Sequence, residues 1–248
     1  MMNSLSKRKK FFLGHLGISC VSALIILVWV FFVWYPSPLA NAVGVTQIFL
    51  MMLAIDVIVG PVLGFIVYKE GKKSLKMDLG VIIALQISAL CYGIYSIEQG
   101  RPAWIAFNVD RFELVRKNEI IEDHIAEALP EYQHVSWLKP QFIAVEFAKN
   151  VKVRNEDMFA EALGGISLSQ KPERYIALSN AQKQMSDRAQ NLSGLNLFNS
   201  KQDVDNIIKK YSQANAWLPL KANAEDMVVL INKEKGQVIK IVDLRPWK

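Results

Sequence analysis

Asp56 is a carboxylic acid in the middle of an apolar run, and Gly60 and Gly64 follow it at four-residue spacing. On a helix that spacing puts all three on one face, a carboxyl beside two patches of bare backbone. A carboxyl so placed can do three kinds of work. It can lock neighbouring helices together, latch onto a polar group of a partner's helix, or carry a proton or cation across the bilayer. Pro61 removes the amide that would bond the carbonyl of Val57, so a bend is expected beside the acid. Asp56, Gly60, Pro61 and Gly64 are therefore the candidate partner-binding residues. Ser22, Gln86 and Ser88 fall within about a turn of the carboxyl in depth. His15 lies near one end of its apolar run, some 12 Å away along the membrane normal, and reads as interfacial rather than as a relay partner. Transport is the weakest of the three readings, because no second acid or base stands at the depth of Asp56.

No other stretch carries a catalytic pattern. GxSxG, a P-loop, GxGxxG and HExxH are absent, and His124 and His134 stand ten residues apart without metal-ligand spacing. Glu119, Glu122 and Asp123 beside His124 read as a solvated helix face. Asp110-Arg111-Phe112-Glu113 reads as an internal ion pair at a strand edge, and Asp243 to Trp247 as a tail that tucks an aromatic against its domain. No enzyme activity, cofactor or metal is expected. Cys20 and Cys91 both fall in apolar runs and read as small packing residues.

The elements that position these groups follow from hydropathy. The chain has 248 residues, 52% of them hydrophobic, with the excess before residue 100. Three apolar runs, about 11–35, 45–68 and 79–97, are each long enough for a transmembrane helix. A signal peptide is the competing reading of the first, since Ala40-Asn41-Ala42 has the small-x-small form. The run is too long for it, and it ends in Trp29, Trp34 and Tyr35, as an anchor does at an interface. Lys7-Arg8-Lys9-Lys10 precede the first run and four lysines between 69 and 78 precede the third. Basic flanks stay in the cytoplasm, so the connector 36–44 and everything after Glu98 belong outside.

Residues 1–100 thus form a membrane domain and 101–248 a small soluble α+β domain. The soluble half holds 21 of the 29 Lys and Arg and 19 of the 23 Asp and Glu. Near charge balance and without a dense basic face, it excludes nucleic acid as a partner. Extended segments are expected over 103–115, broken at Asp110-Arg111, and over 142–147. Helices are expected over 119–129, from Asn155 to Leu163, over 176–190 and over 203–211, with a loop over 192–200. The alternating runs Met227 to Asn232 and Val238 to Leu244 flank Lys233-Glu-Lys-Gly236 and read as a closing β-hairpin.

Several stretches together resemble one family. The exit Trp34-Tyr35-Pro36-Ser-Pro38, the run Asp56-Val-Ile-Val-Gly60-Pro61, Gly71 to Leu79, Arg101-Pro102, Val109 to Phe112 and the closing Leu244-Arg-Pro246-Trp247 are similar to the TfpX/TfpZ type IV pilin accessory proteins. The resemblance covers the first 115 residues well and the last 20 fairly well. It implies a multi-pass protein of the bacterial inner membrane, N-terminus in the cytoplasm and C-terminal domain in the periplasm, that serves a cognate type IV major pilin as chaperone or assembly modulator. It implies no catalytic residues; its Asp and Gly-Pro match Asp56, Gly60 and Pro61. The alternatives are a membrane-tethered periplasmic ligand-binding sensor and a transporter fragment using Asp56. The oligomeric state is not legible.

Overall fold

The computed structural model describes residues 6–247, which divide into two compact units. The first takes in the chain up to Val33 together with Val45–Gln99. Its helices are α1 (Lys7–Trp29, continued by one wide turn Val30–Trp34), α3 (Val45–Val67) and α4 (Leu75–Gln99). All three are long and apolar enough to cross a membrane. α1 starts four residues before the apolar run because the Ser6 hydroxyl accepts from the amide of Lys9 and caps it. α4 likewise starts at Leu75, with Asp78 in its first turn accepting from Ser74 and pairing with Lys72 at 2.6 Å. Arg8 ties α1 to the far end of α3 by donating to the carbonyl of Phe65 at 2.6 Å while stacking over its ring.

The second unit is Trp34–Gly44 with everything from Gly100 onward. The connector before Val45, counted with the membrane part in the sequence, thus groups with the second unit. The connector holds a short helix, α2 (Leu39–Val43), and Leu39 and Ala42 are buried in the same core as Ile105, Phe107 and Phe112. The Ala42 carbonyl accepts from the amides of Ala224 and Glu225, at 2.9 and 3.2 Å. An uncharged connector with small apolar residues is what such a buried insertion requires.

The fold class stands as expected: three apolar helices, then an α+β unit built on one curled sheet. Its strands are β1 (Pro102–Asn108), β2 (Arg111–Arg116), β3 (Gln141–Val145), β4 (Tyr175–Ala177), β5 (Gln190–Asn191), β6 (Ala216–Lys221), β7 (Met227–Asn232) and β8 (Gln237–Val242). They run in the order β4-β3-β1-β2-β6-β7-β8, with β5 also on β6. The β1–β3 and β2–β6 pairs are parallel and the others antiparallel. Helices α5 (Val151–Gly164), α6 (Gln182–Arg188) and α7 (Lys201–Lys210) complete the unit.

Two helix expectations fail for tertiary reasons, and one strand had no forecast. The helix over 119–129 is replaced by 3-10 turns at Lys117–Glu119 and Ile125–Glu127. The amide of Ile121 bonds the distant carbonyl of Gln170, and the Glu119 carboxyl is spent on the backbone and guanidinium of Arg116 and on Asn223. Residues 175–177 join the sheet on β3, so the helix expected from 176 starts only at Gln182. And β6 carries Pro219, which argues against a central strand in a sequence. The proline is accommodated because the partner changes beside it: β5 pairs with Ala216 and Trp217, β2 with Leu220 and Lys221. The missing N–H falls between the two. The 192–200 stretch, expected as a loop, contains a 3-10 segment over Leu192–Leu197.

The two buried carboxylates described in this unit, Glu113 and Asp157, are both paired. Asp157 on α5 is 4% exposed and accepts from Lys171 Nζ at 2.6 Å and Arg174 Nε at 2.8 Å. Burial alone would raise its pKa, but the two cations outweigh it and hold the carboxyl below the ordinary range. Arg111 and Glu113 pair at 3.0 Å as expected, though on an interior strand. The tail is anchored as expected: Trp247 Nε1 donates to Asp226 Oδ2 at 2.7 Å and Arg245 to the Asp226 carbonyl at 2.5 Å.

Candidate functional site

Four polar residues of the apolar helices, His15, Ser19, Ser22 and Asp56, gather around Gln86 of α4. Its Nε2 donates to the backbone carbonyl of Asp56 on α3 at 2.8 Å and to Ser19 Oγ on α1 at 3.2 Å. Both amide hydrogens are then used, so Oε1 can only accept, and the group 2.9 Å from it is His15 Nε2. His15 therefore donates from Nε2. One glutamine thus bonds both other helices, doing the locking that was one of the three roles open to Asp56.

The glycines make this reach possible. A Cβ on Gly60 would lie 1.9 Å from Gln86 Oε1, so the amide occupies the space that a side chain at 60 would fill. A Cβ on Gly64 would lie 2.9 Å from Phe11 Cε1 and 3.5 Å from His15 Nδ1. Gly60, Pro61 and Gly64 are all buried, and α3 continues through Pro61 to Val67. The two patches of bare backbone are covered by side chains of the protein's own α4 and α1.

Asp56 faces a cavity of about 220 Å³ between the helices, lined on its polar side by His15, Ser19, Ser22, Asp56 and Gln86. Asp56 Oδ2 is buried and has no hydrogen-bond partner among the described residues. Ser88, expected near the carboxyl, is exposed on α4 and bonds back to the Ala84 carbonyl at 2.8 Å. His15, expected to be remote, is part of the cluster. Measured from Lys7, it lies eight residues or about 12 Å into α1, while Asp56 lies eleven residues or about 17 Å from Val67. The depth difference is about 5 Å, which the Gln86 side chain bridges. The signal was available: His15, Ser19 and Ser22 recur at i, i+4 and i+7, a polar stripe on an apolar helix. Among the described residues no group of three or more His, Cys, Asp or Glu is placed to hold a metal ion.

Comparison with known proteins adds what geometry alone does not. A family model described as fimbrial assembly protein FimB matches residues 3–44. The chain is 33% identical over 227 residues to the fimbrial assembly protein of serogroup E1 of Dichelobacter nodosus, covering 87% of this chain and 88% of that one. The chain belongs to the fimbrial assembly protein family. The serogroup I protein of the same organism is 32% identical over 226 residues with the same coverage, and that of serogroups C1 and C2 is 34% identical over 116 residues, covering 46% of this chain and 88% of its own. An alignment over 87% of the chain cannot fit within either unit, so the family likeness takes in parts of both. No solved structure matches.

Proposed function

We propose that the protein supports assembly of type IV fimbriae as an inner-membrane accessory or chaperone for one cognate major pilin. The observation that carries this is the likeness along most of the chain to proteins named for fimbrial assembly. The resemblance to the TfpX/TfpZ pilin accessory proteins points the same way.

In this reading the basic ends at Lys7–Lys10 and at 69–76 are cytoplasmic and the sheet-bearing unit is periplasmic. The fold supports that arrangement, because Trp34–Gly44 shares a core with the chain from Gly100 onward and both segments must then lie on one side of the bilayer. The pilin, anchored by an apolar helix, packs against the three-helix unit near Asp56. Gly60, Pro61 and Gly64 serve that contact from behind, by seating Gln86 and Phe11 so that the carboxyl is presented in the cavity. The periplasmic unit meets the pilin head.

The test is in-cell photocrosslinking with the full chain, one probe at Val59, 45% exposed on α3, and one at Trp137, 76% exposed on the second unit. Capture of the cognate pilin from either probe is expected. A protein present at its normal level that captures no pilin from either position overturns the proposal.

A further inference from the structure

A groove of about 550 Å³ runs along one edge of the sheet in the second unit. Six consecutive residues, Gly236 to Ile241, form one wall of it. Side chains of a strand alternate between its two faces, so an unbroken run lines a wall only where the edge of the strand faces it. β8 is the last strand of the sheet and pairs with β7 on its other side. Its outward backbone groups are a template for one more strand. Across the groove stand Phe142 of β3 and Leu178 and Ser179, just past β4, the strand at the other end of the sheet. Ile105 also lines the groove, as does the connector Pro36–Leu39.

Charge selects the occupant. Lys139 and Lys240 are the charged residues of the lining, and neither Asp nor Glu belongs to it. Resting on the reading that a fimbrial subunit is the partner, we propose that this groove takes an extended acidic segment of that subunit as an added strand on β8. Main-chain bonds along the edge hold it, the groove takes its apolar side chains, and its carboxylates meet Lys139 and Lys240. The five residues of β8 on the groove, Gln237 to Ile241, give an edge of about 17 Å that holds about five residues. A lipid chain in the same place would strip water from the edge without replacing its hydrogen bonds. A second copy of this edge would set lysine against lysine.

The test uses the full-length protein in nanodiscs of phosphatidylethanolamine and phosphatidylglycerol, with overlapping peptides covering the cognate fimbrial subunit read by fluorescence anisotropy. An acidic peptide is expected to bind. Lys139→Glu with Lys240→Glu weakens it about tenfold, and the same peptide with its acids changed to lysine regains affinity on that double variant. Both lysines lie outside the buried core, and circular dichroism of the double variant checks its fold. Equal binding to wild type and double variant overturns the inference. So does the absence of any bound peptide when intact subunit still co-purifies, an outcome that leaves the proposed function standing. If the subunit does not co-purify with the wild type, the proposed function fails and the inference with it. A photoprobe at Ile239 that captures lipid or a second copy in place of the subunit also overturns it.

Discussion

Replacing Gly60 by alanine should destabilise the helix unit, although alanine is the better helix former. The added Cβ would stand 1.9 Å from Gln86 Oε1 and 2.3 Å from its Cδ, so the glutamine must swing away. The end of a flexible side chain can move, and the cost is therefore its hydrogen bonds rather than a backbone shift. Three are lost, to Asp56, Ser19 and His15. Interhelical hydrogen bonds in membranes average about 0.6 kcal/mol each, or roughly 2 kcal/mol together. Against this stands a gain of about 1 kcal/mol in helix propensity. The net loss is about 1 kcal/mol in the wild-type background. In a Gln86→Ala background the space is free and the bonds are already gone, so Gly60→Ala should stabilise by about 1 kcal/mol. The coupling of about 2 kcal/mol is read as a double-mutant cycle, by titrating the purified full-length protein from mild detergent into dodecyl sulfate and following its helical signal. Equal effects of Gly60→Ala in the two backgrounds would refute the assignment of Gln86 as the lock.

Other outcomes follow from the same reasoning. Gly93→Ala should cost less than Gly60→Ala, since its Cβ would meet the thioether of Met52, at 2.1 Å, and methionine repacks easily; the same titration compares them. Leu39→Ala should lower the stability of the second unit by about 3 kcal/mol, as a core truncation does, although residue 39 lies far from that unit in sequence. Thermal unfolding followed through the strand signal reports it, and an unchanged transition would show that the connector is not part of that core. Asp157→Asn leaves Lys171 and Arg174 beside a neutral amide and should cost about 3 kcal/mol. Because the folded carboxyl titrates below its unfolded value, the wild type has this contribution in full at neutral pH and loses it as pH falls below the ordinary carboxylate range. The variant should therefore show a flatter stability profile on the acid side in chemical denaturation, and parallel profiles would contradict the pairing.

What the sequence made legible, and what it hid, divides along the range of the forces involved. The three apolar helices and the closing hairpin are written locally, in hydropathy and in the Gly236 turn, whose φ of 58° the structure confirms. The helix expected over 119–129 has the right periodicity, but its backbone finds better partners in Gln170 and Arg116, and only distant residues decide that. Strand β6 was hidden by Pro219, whose place in the sheet depends on where two other strands end. The Asp56, Gly60 and Gly64 stripe was readable as a packing face. That Gln86 and Phe11 fill it was not, because depth was counted from the ends of apolar runs and two of the helices begin four residues earlier. The connector 36–44 looked like a simple exit loop; its burial requires knowledge of the sheet it packs on.

The central claim is a role in putting fimbriae on the cell surface, and it is tested most directly by deleting the gene in the native host and measuring fimbriae and pilin together. Electron microscopy counts surface fimbriae, and immunoblots of surface and membrane fractions locate the major pilin. The account predicts pilin retained in the membrane fraction, few or no surface fimbriae, and recovery with the wild-type gene supplied in trans. Normal fimbriation in the deletion strain would contradict it.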